Sequence, residues 1–274
     1  MNLLESIVLG IIQGITEFLP ISSSGHLVLL QNFFGIQEGN LFFTVMLHLG
    51  TLISIMVVYF NDIIKIIVEF LKLILSIFKG NKPNNLNKYQ KLGLLIIVAS
   101  IPTAVIGFLF EDFFESLYSS LIPIGFAFII TGFLLWFSEK KAFQNKNIKN
   151  VSLFDALLIG TAQGIAIIPG ISRSGSTIVA GLLRGLNKPL ATEYSFLLAL
   201  PVTFGASLLK IIDVVKSDAE VLISFPLFLG VIVSTIVGII SIKFLINLLN
   251  RNKLYYFSYY LWVLGIIVII SQLI

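Results

Sequence analysis

The chain has 274 residues, of which 57% are hydrophobic and only 12% charged, with a mean hydropathy of +1.01. A soluble domain carries about 25% charged residues, so half the usual polar coat is missing; a water-soluble globular protein is excluded, and so is disorder, given the aromatic and β-branched content. The net charge of +4 falls in short gaps between apolar runs, where it reads as a topology signal facing cytoplasm and anionic lipid, with no nucleic-acid partner implied.

The absence of cysteine removes disulfides and thiolate chemistry. The N-terminus has no basic n-region and carries Glu5 and Glu17 in its first apolar run, so a cleaved signal peptide is not expected. Long unalternating apolar runs predict an all-α polytopic membrane protein.

In chain order, residues 3–34 form an apolar stretch broken by Pro20-Ile21-Ser22-Ser23-Ser24-Gly25-His26, which predicts a re-entrant hairpin of two short helices. Three spans follow, at 41–60, 92–110 and 117–137, with a cytoplasmic surface helix at 63–78 marked by Lys65, Glu69 and Lys72. A second hairpin, 153–186, is broken by Pro169-Gly170-Ile171-Ser172-Arg173-Ser174-Gly175-Ser176-Thr177 and precedes spans at 194–212, 222–244 and 254–274. Pro102 and Pro201 fall inside spans, where neighbouring helices can satisfy the freed carbonyls.

Loop charges orient these six spans. Lys65, Lys72, Lys79, Lys82, Lys88 and Lys91 lie in one gap, Lys140, Lys141, Lys146 and Lys149 in another, and Arg251 and Lys253 in a third. The positive-inside rule puts all three in the cytoplasm, and puts the gap with Glu111, Asp112 and Glu115 outside together with the C-terminus.

The two broken regions repeat one another. Gly10, Gln13, Gly14, Ile15, Ile21, Ser22, Ser24 and Gly25 recur 150 residues later as Gly160, Gln163, Gly164, Ile165, Ile171, Ser172, Ser174 and Gly175. Each copy is a hairpin followed by three spans, and an odd number inverts the second copy. One integral membrane domain therefore divides into a first repeat, 1–150, and an inverted second repeat, 151–274, with broken helices meeting near the midplane around a site.

Non-helical backbone at membrane depth needs a polar, hydrated surrounding. Ser22, Ser23, Ser24, Ser172, Ser174, Ser176 and Thr177 offer hydroxyls there, while Gly25, Gly170 and Gly175 let backbone amides approach a ligand. Arg173 adds a planar guanidinium suited to phosphate. Glu17, with Gln13 one turn earlier, and His26 are the polar groups beside the first break, and an intramembrane charge defaults to function. His48 falls mid-span, where lining the cavity and bonding a neighbouring helix are both open; Arg184 and Glu193 read as interfacial residues.

At these segments the chain resembles the undecaprenyl-diphosphate phosphatases, the bacitracin-resistance family. The resemblance rests on Gln13-Gly-Ile-Thr-Glu17-Phe18-Leu19-Pro20-Ile21-Ser22-Ser23-Ser24-Gly25-His26, matching (Glu/Gln)-x-x-x-Glu and Phe-Leu-Pro-x-Ser-Ser-(Ser/Thr)-Gly-His. It rests equally on Pro169-Gly170-Ile171-Ser172-Arg173-Ser174-Gly175-Ser176-Thr177, matching Pro-Gly-x-Ser-Arg-Ser-Gly-x-Thr. Position 13 is Glu in some members, so here that pair holds one carboxylate.

The resemblance implies hydrolysis of a polyprenyl diphosphate lipid in the bacterial cytoplasmic membrane, in a cavity opening to the outer face, with recycling of the cell-wall lipid carrier and bacitracin resistance. It implies a divalent cation, Mg²⁺ or Ca²⁺, for which Glu17 and Gln13 are the candidate ligands. Glu17, His26, Arg173 and Ser23 are the candidate catalytic residues; Gln13, Ser22, Ser24, Gly25, Ser172, Ser174, Gly175, Ser176 and Thr177 are the candidate substrate contacts. Arg173 would hold the diphosphate, and Glu17 would orient His26 or help hold the metal. The nucleophile is left open between His26, Ser23 and water. A flippase of the lipid carrier is the alternative, since inverted repeats mark transporters, and a homodimer is left open.

Overall fold

A computed structural model describes residues 2–35, 41–80, 85–141, 145–216, 224–250 and 253–273. Among the described residues there are twelve α-helices and no strand, only an isolated bridge between Lys146 and Leu186. They are α1 (Leu3–Thr16), α2 (Ser23–Phe34), α3 (Leu41–Val58), α4 (Phe60–Phe78), α5 (Lys88–Leu109), α6 (Glu111–Ser116), α7 (Leu121–Lys141), α8 (Leu153–Ile165), α9 (Arg173–Leu183), α10 (Lys188–Lys216), α11 (Phe225–Asn250) and α12 (Tyr255–Ser271).

Local chemistry starts several of them. Asn2 with Glu5, Asn87 with Gln90 and Ser152 with Asp155 each form a reciprocal capping box, opening α1, α5 and α8. Four helices, α5, α7, α10 and α11, are long and apolar enough to cross a membrane, and α3 joins α4 through an 82° bend to make a fifth candidate. The protein is therefore a multi-pass α-helical membrane protein. Its outer faces are apolar: Phe33 and Phe108 are each more than four-fifths exposed, which suits lipid and not water.

Several boundaries differ from expectation. The surface helix expected at 63–78 begins at Phe60, directly after the bend. The third span was expected from residue 117, but Leu117–Ser119 form a 3₁₀ turn and the Ser120 hydroxyl accepts the Ile122 amide at 3.3 Å, so α7 starts at Leu121. Helix α10 extends the span expected at 194–212 at both ends, and Pro102 and Pro201 sit inside continuous helices. The last apolar helix, α12, has 17 residues, about 25 Å at the helical rise against a hydrocarbon core of about 30 Å. Lys82, Leu222, Arg251 and Ile274 lie outside the described residues.

Packing explains two of the eight repeated identities. Helix α1 lies on α11 and α8 lies on α5. A Cβ on Gly10 would meet the Gly230 carbonyl at 2.8 Å and one on Gly14 would meet Val237 at 2.8 Å. In the second copy, a Cβ on Gly160 would collide with the Ala99 carbonyl and one on Gly164 would meet Ile106 at 2.7 Å. These glycines bring backbones together, the usual means of association where lipid removes the hydrophobic drive. Thr103 on α5 donates to the Gly160 carbonyl at 2.8 Å across the same contact. At the start of α8, fully buried Asp155 is held by Lys146 at 3.0 Å and Arg184 at 2.7 Å, so Arg184 clasps the hairpin's two arms together.

Candidate active site

Both interruptions are present, between α1 and α2 and between α8 and α9, and they are built alike. In the first, the Ser22 hydroxyl accepts the Gly25 amide at 3.3 Å and lies 3.2 Å from the Ser24 hydroxyl; in the second, Ser172 accepts from Gly175 at 3.1 Å and lies 3.2 Å from Ser174. These are N-caps of α2 and α9. Ser22 has φ +71°, a left-handed conformation costly for a non-glycine residue; its repeat-mate Ser172 has φ −77°, and in the second break the positive φ falls two positions earlier, on Gly170 at +92°.

The breaks touch. Ser174 donates to the Leu19 carbonyl at 3.3 Å, a Cβ on Gly25 would lie 3.1 Å from Gly170 Cα, and one on Gly175 would lie 3.2 Å from Pro20. The N-termini of α2 and α9 therefore come together at one point, each bringing orphan amides and a partial positive charge.

Glu17 occupies that point, with a side chain only 4% exposed. Its Oε1 accepts from Arg173 Nη2, whose Nη1 donates to Thr203 Oγ1. Its Oε2 accepts from Ser23 Oγ at 2.6 Å and from Gln13 Nε2 at 3.0 Å, with His48 Nδ1 at 3.3 Å. Ser23 and Arg173 are repeat-equivalent first residues of α2 and α9, so the two copies clasp one carboxylate between them. Arg173 is partly exposed and has five N–H donors, so donors remain for an anion.

His26 stands elsewhere. Its Nδ1 bonds the Ser22 carbonyl at 2.7 Å and its Nε2 the Tyr260 hydroxyl at 2.6 Å, with the ring stacked on Tyr260 and edge-on to Phe128. The expected pairing of Glu17 with His26 is corrected: the histidine beside Glu17 is His48, from α3. The cause is local, since a ring in the first turn of α2 reaches back to the N-cap carbonyl one turn earlier.

Of the expected substrate contacts, Ser22, Gly25, Ser172, Ser174, Gly175, Ser176 and Thr177 are buried. Thr177 bonds the Arg173 carbonyl at 2.9 Å and the Ser195 hydroxyl at 2.6 Å. Ser23 and Ser24 are partly exposed. The sequence reading missed Thr203 and Tyr260, and left His48 undecided. Thr203 and Tyr260 carry no local pattern, but Thr44, His48, Thr51 and Ser54 recur at three- and four-residue spacing in the span, a helical stripe of polar residues that signals a polar facing for α3.

For a divalent cation, the donors are modest. Among the described residues no three His, Asp or Glu side chains cluster, so these residues build no cage by themselves. Gln13 Oε1 is buried without a partner beside the Glu17 carboxylate. One carboxylate and one spare oxygen fit Mg²⁺, which ordinarily keeps waters and takes its remaining ligands from substrate phosphates.

A serine hydroxyl on a buried carboxylate, a guanidinium and two converging helix starts form one cluster with the donors to hold an anion such as a phosphate, carried by a polytopic helical protein. Residues 6–267 match the family described as bacitracin resistance protein BacA. The chain is 47% identical over 274 residues to the undecaprenyl-diphosphatase of Alkaliphilus metalliredigens, covering 100% of both chains. It is 46% identical over 270 residues to that of Halothermothrix orenii, covering 98% of each, and 40% identical over 274 residues to that of Carboxydothermus hydrogenoformans, covering 99% of this chain and 98% of that one. The chain belongs to the BacA family.

Proposed function

We propose that this protein hydrolyses undecaprenyl diphosphate to undecaprenyl phosphate and inorganic phosphate, which returns the lipid carrier to cell-wall synthesis and confers bacitracin resistance. The full-length relatives with that name support the reading over a lipid flippase. The observation that carries it is the Ser23 hydroxyl held on Glu17 Oε2 while Arg173 holds Oε1.

Phosphoryl transfer asks mainly for positioning and charge. The diphosphate sits where α2 and α9 begin, its charge met by the free N–H groups of Arg173, the adjoining helix-start amides and the Ser24 hydroxyl. Ser23 Oγ attacks the terminal phosphorus and its proton passes to Glu17 Oε2. The bond from that phosphorus to the bridging oxygen breaks, and undecaprenyl phosphate leaves with the electron pair. Glu17 gives that proton up to the departing phosphate and, a carboxylate again, takes a proton from the water that cleaves the phosphoserine and returns it to Ser23 Oγ as inorganic phosphate leaves. His26, fixed by Ser22 and Tyr260, supports the bend that aims Ser23 and stands one turn away as a proton carrier. A divalent cation bound by Gln13 Oε1 and Glu17 would add charge on the diphosphate oxygens.

The architecture belonging to this reading is six spans with two re-entrant hairpins in an inverted repeat, in the bacterial cytoplasmic membrane with the cavity toward the outer face. The contact pattern supports it: exchanging first-copy and second-copy helices turns the α1–α11 pair into α8–α5 and the α3–α11 pair into α10–α5, and returns α7–α12 and α3–α10 to themselves. The test is phosphate release by the purified protein from undecaprenyl diphosphate, with Arg173→Ala and His26→Ala alongside. Wild-type turnover with both variants inactive or severely slowed is expected; wild-type rates in both would refute the site.

A further inference from the structure

Four polar side chains run in a line from α2 to α3. Ser23 Oγ donates to Glu17 Oε2, Gln13 Nε2 donates to that same oxygen at 3.0 Å, and Gln13 Nε2 also lies 2.9 Å from His48 Nδ1. An amide nitrogen carries two hydrogens: with one on Glu17 and the other on the nearer of its two further neighbours, Nδ1 at 2.9 Å rather than Thr51 Oγ1 at 3.4 Å, Nδ1 is an acceptor and the ring hydrogen sits on Nε2. Nδ1 and Glu17 Oε2, 3.3 Å apart, are thus two acceptors gripping one amide. Turning that amide over would bring Oε1 against a carboxylate and an imidazole lone pair together. Thr51 Oγ1 also accepts from that nitrogen, but at 3.4 Å it is the weakest of the three acceptors around the amide, and its own hydrogen goes to the His48 carbonyl at 2.8 Å.

We infer that His48 is a positioning residue for the hydrolysis: its Nδ1 locks the Gln13 amide with N–H toward Glu17, so that Oε2 stays aimed at the Ser23 hydroxyl. The inference rests on the phosphatase reading above, and extends the site to a residue from α3 that lies outside both motif segments. His48 touches neither Ser23 nor any group placed on the substrate, so its effect passes through Gln13 and Glu17. The carboxylate already has Arg173 on its other oxygen; without the Gln13–His48 pair, only the hydroxyl it must activate would define where Oε2 points.

The test is steady-state phosphate release from undecaprenyl diphosphate by the full chain in detergent, comparing wild type, His48→Leu and His48→Asn. Leucine fills the space without an acceptor, whereas asparagine places Oδ1 close to the position of Nδ1. Loss of a hydrogen bond to a charged network predicts a kcat for His48→Leu about 10- to 100-fold below wild type, with KM changed by less than about twofold. His48→Asn is expected to recover to within about fivefold of wild type, since it restores the acceptor that holds the Gln13 amide. A His48→Leu enzyme with wild-type kcat, a loss confined to KM, or a His48→Asn enzyme as slow as His48→Leu would each overturn the assignment. Absence of phosphate release by the wild type would overturn the phosphatase reading instead, and is told apart because no variant enters that measurement.

Discussion

The two breaks share a skeleton and differ in what they present. Caps, bends and close-packing glycines are common to both: Ser22 and Ser172 cap, Gly10 and Gly160 pack, and Gln13 and Gln163 are each buried with one orphaned oxygen. Reactive groups are not shared. Glu17 corresponds to Ile167, which packs by Gly107 of α5; His26 corresponds to buried Ser176; Ser23 corresponds to Arg173. Identity between the copies falls mostly on scaffold, and the groups placed at the reacting phosphorus are the ones that differ. Packing and capping constrain both copies by the same geometry, whereas one asymmetric phosphate needs a base on one side and a cation on the other.

Breaking the difference should cost most. Arg173→Ala is expected to lower kcat/KM for phosphate release about 10³-fold, near 4 kcal/mol in barrier, and Arg173→Lys to recover less than about tenfold of it, since a point charge cannot serve Glu17, Thr203 and phosphate in one plane. Its repeat-mate should fail in another way. Ser23→Ala is expected to lower kcat about 10²- to 10³-fold with little change in folded stability, and acid-quenched wild type should carry phosphate on Ser23 by mass spectrometry. Phosphate on His26 would reassign the nucleophile.

Perturbing what the copies share should alter stability in both alike. Gly10→Val and Gly160→Val each force a side chain into a facing backbone and are expected to cost about 1–3 kcal/mol, read as a lower midpoint of thermal unfolding in detergent. Asp155→Asn removes the partner of Lys146 and Arg184 from a buried site and is expected to cost about 3 kcal/mol of stability while leaving kcat within about twofold, because no group of the site bonds it. The smallest effect is the sharpest comparison: Ser172→Ala should cost about 1 kcal/mol, as N-cap deletions do. Ser22→Ala should cost the same in stability but also slow turnover, because Ser22 alone carries His26 on its carbonyl.

Residue types and spacing by themselves determined much of this. Apolar run length set the membrane class and the Pro/Ser/Gly interruptions located both breaks; each depends on residues within a turn or two of one another. The self-similarity at 150 residues identified the two regions that meet, and Glu17 and Arg173, the intramembrane charges singled out there, form one ion pair. Only the tertiary structure decided the rest. Which histidine faces Glu17, whether a serine caps a helix or stays accessible, and which threonine steadies Arg173 depend on how α3, α10 and α12 rotate about their axes against the breaks. That rotation is set by side-chain packing and by glycine contacts between helices distant in sequence. A helix of uniform hydrophobicity carries no record of its facing, because lipid and core reward the same residues.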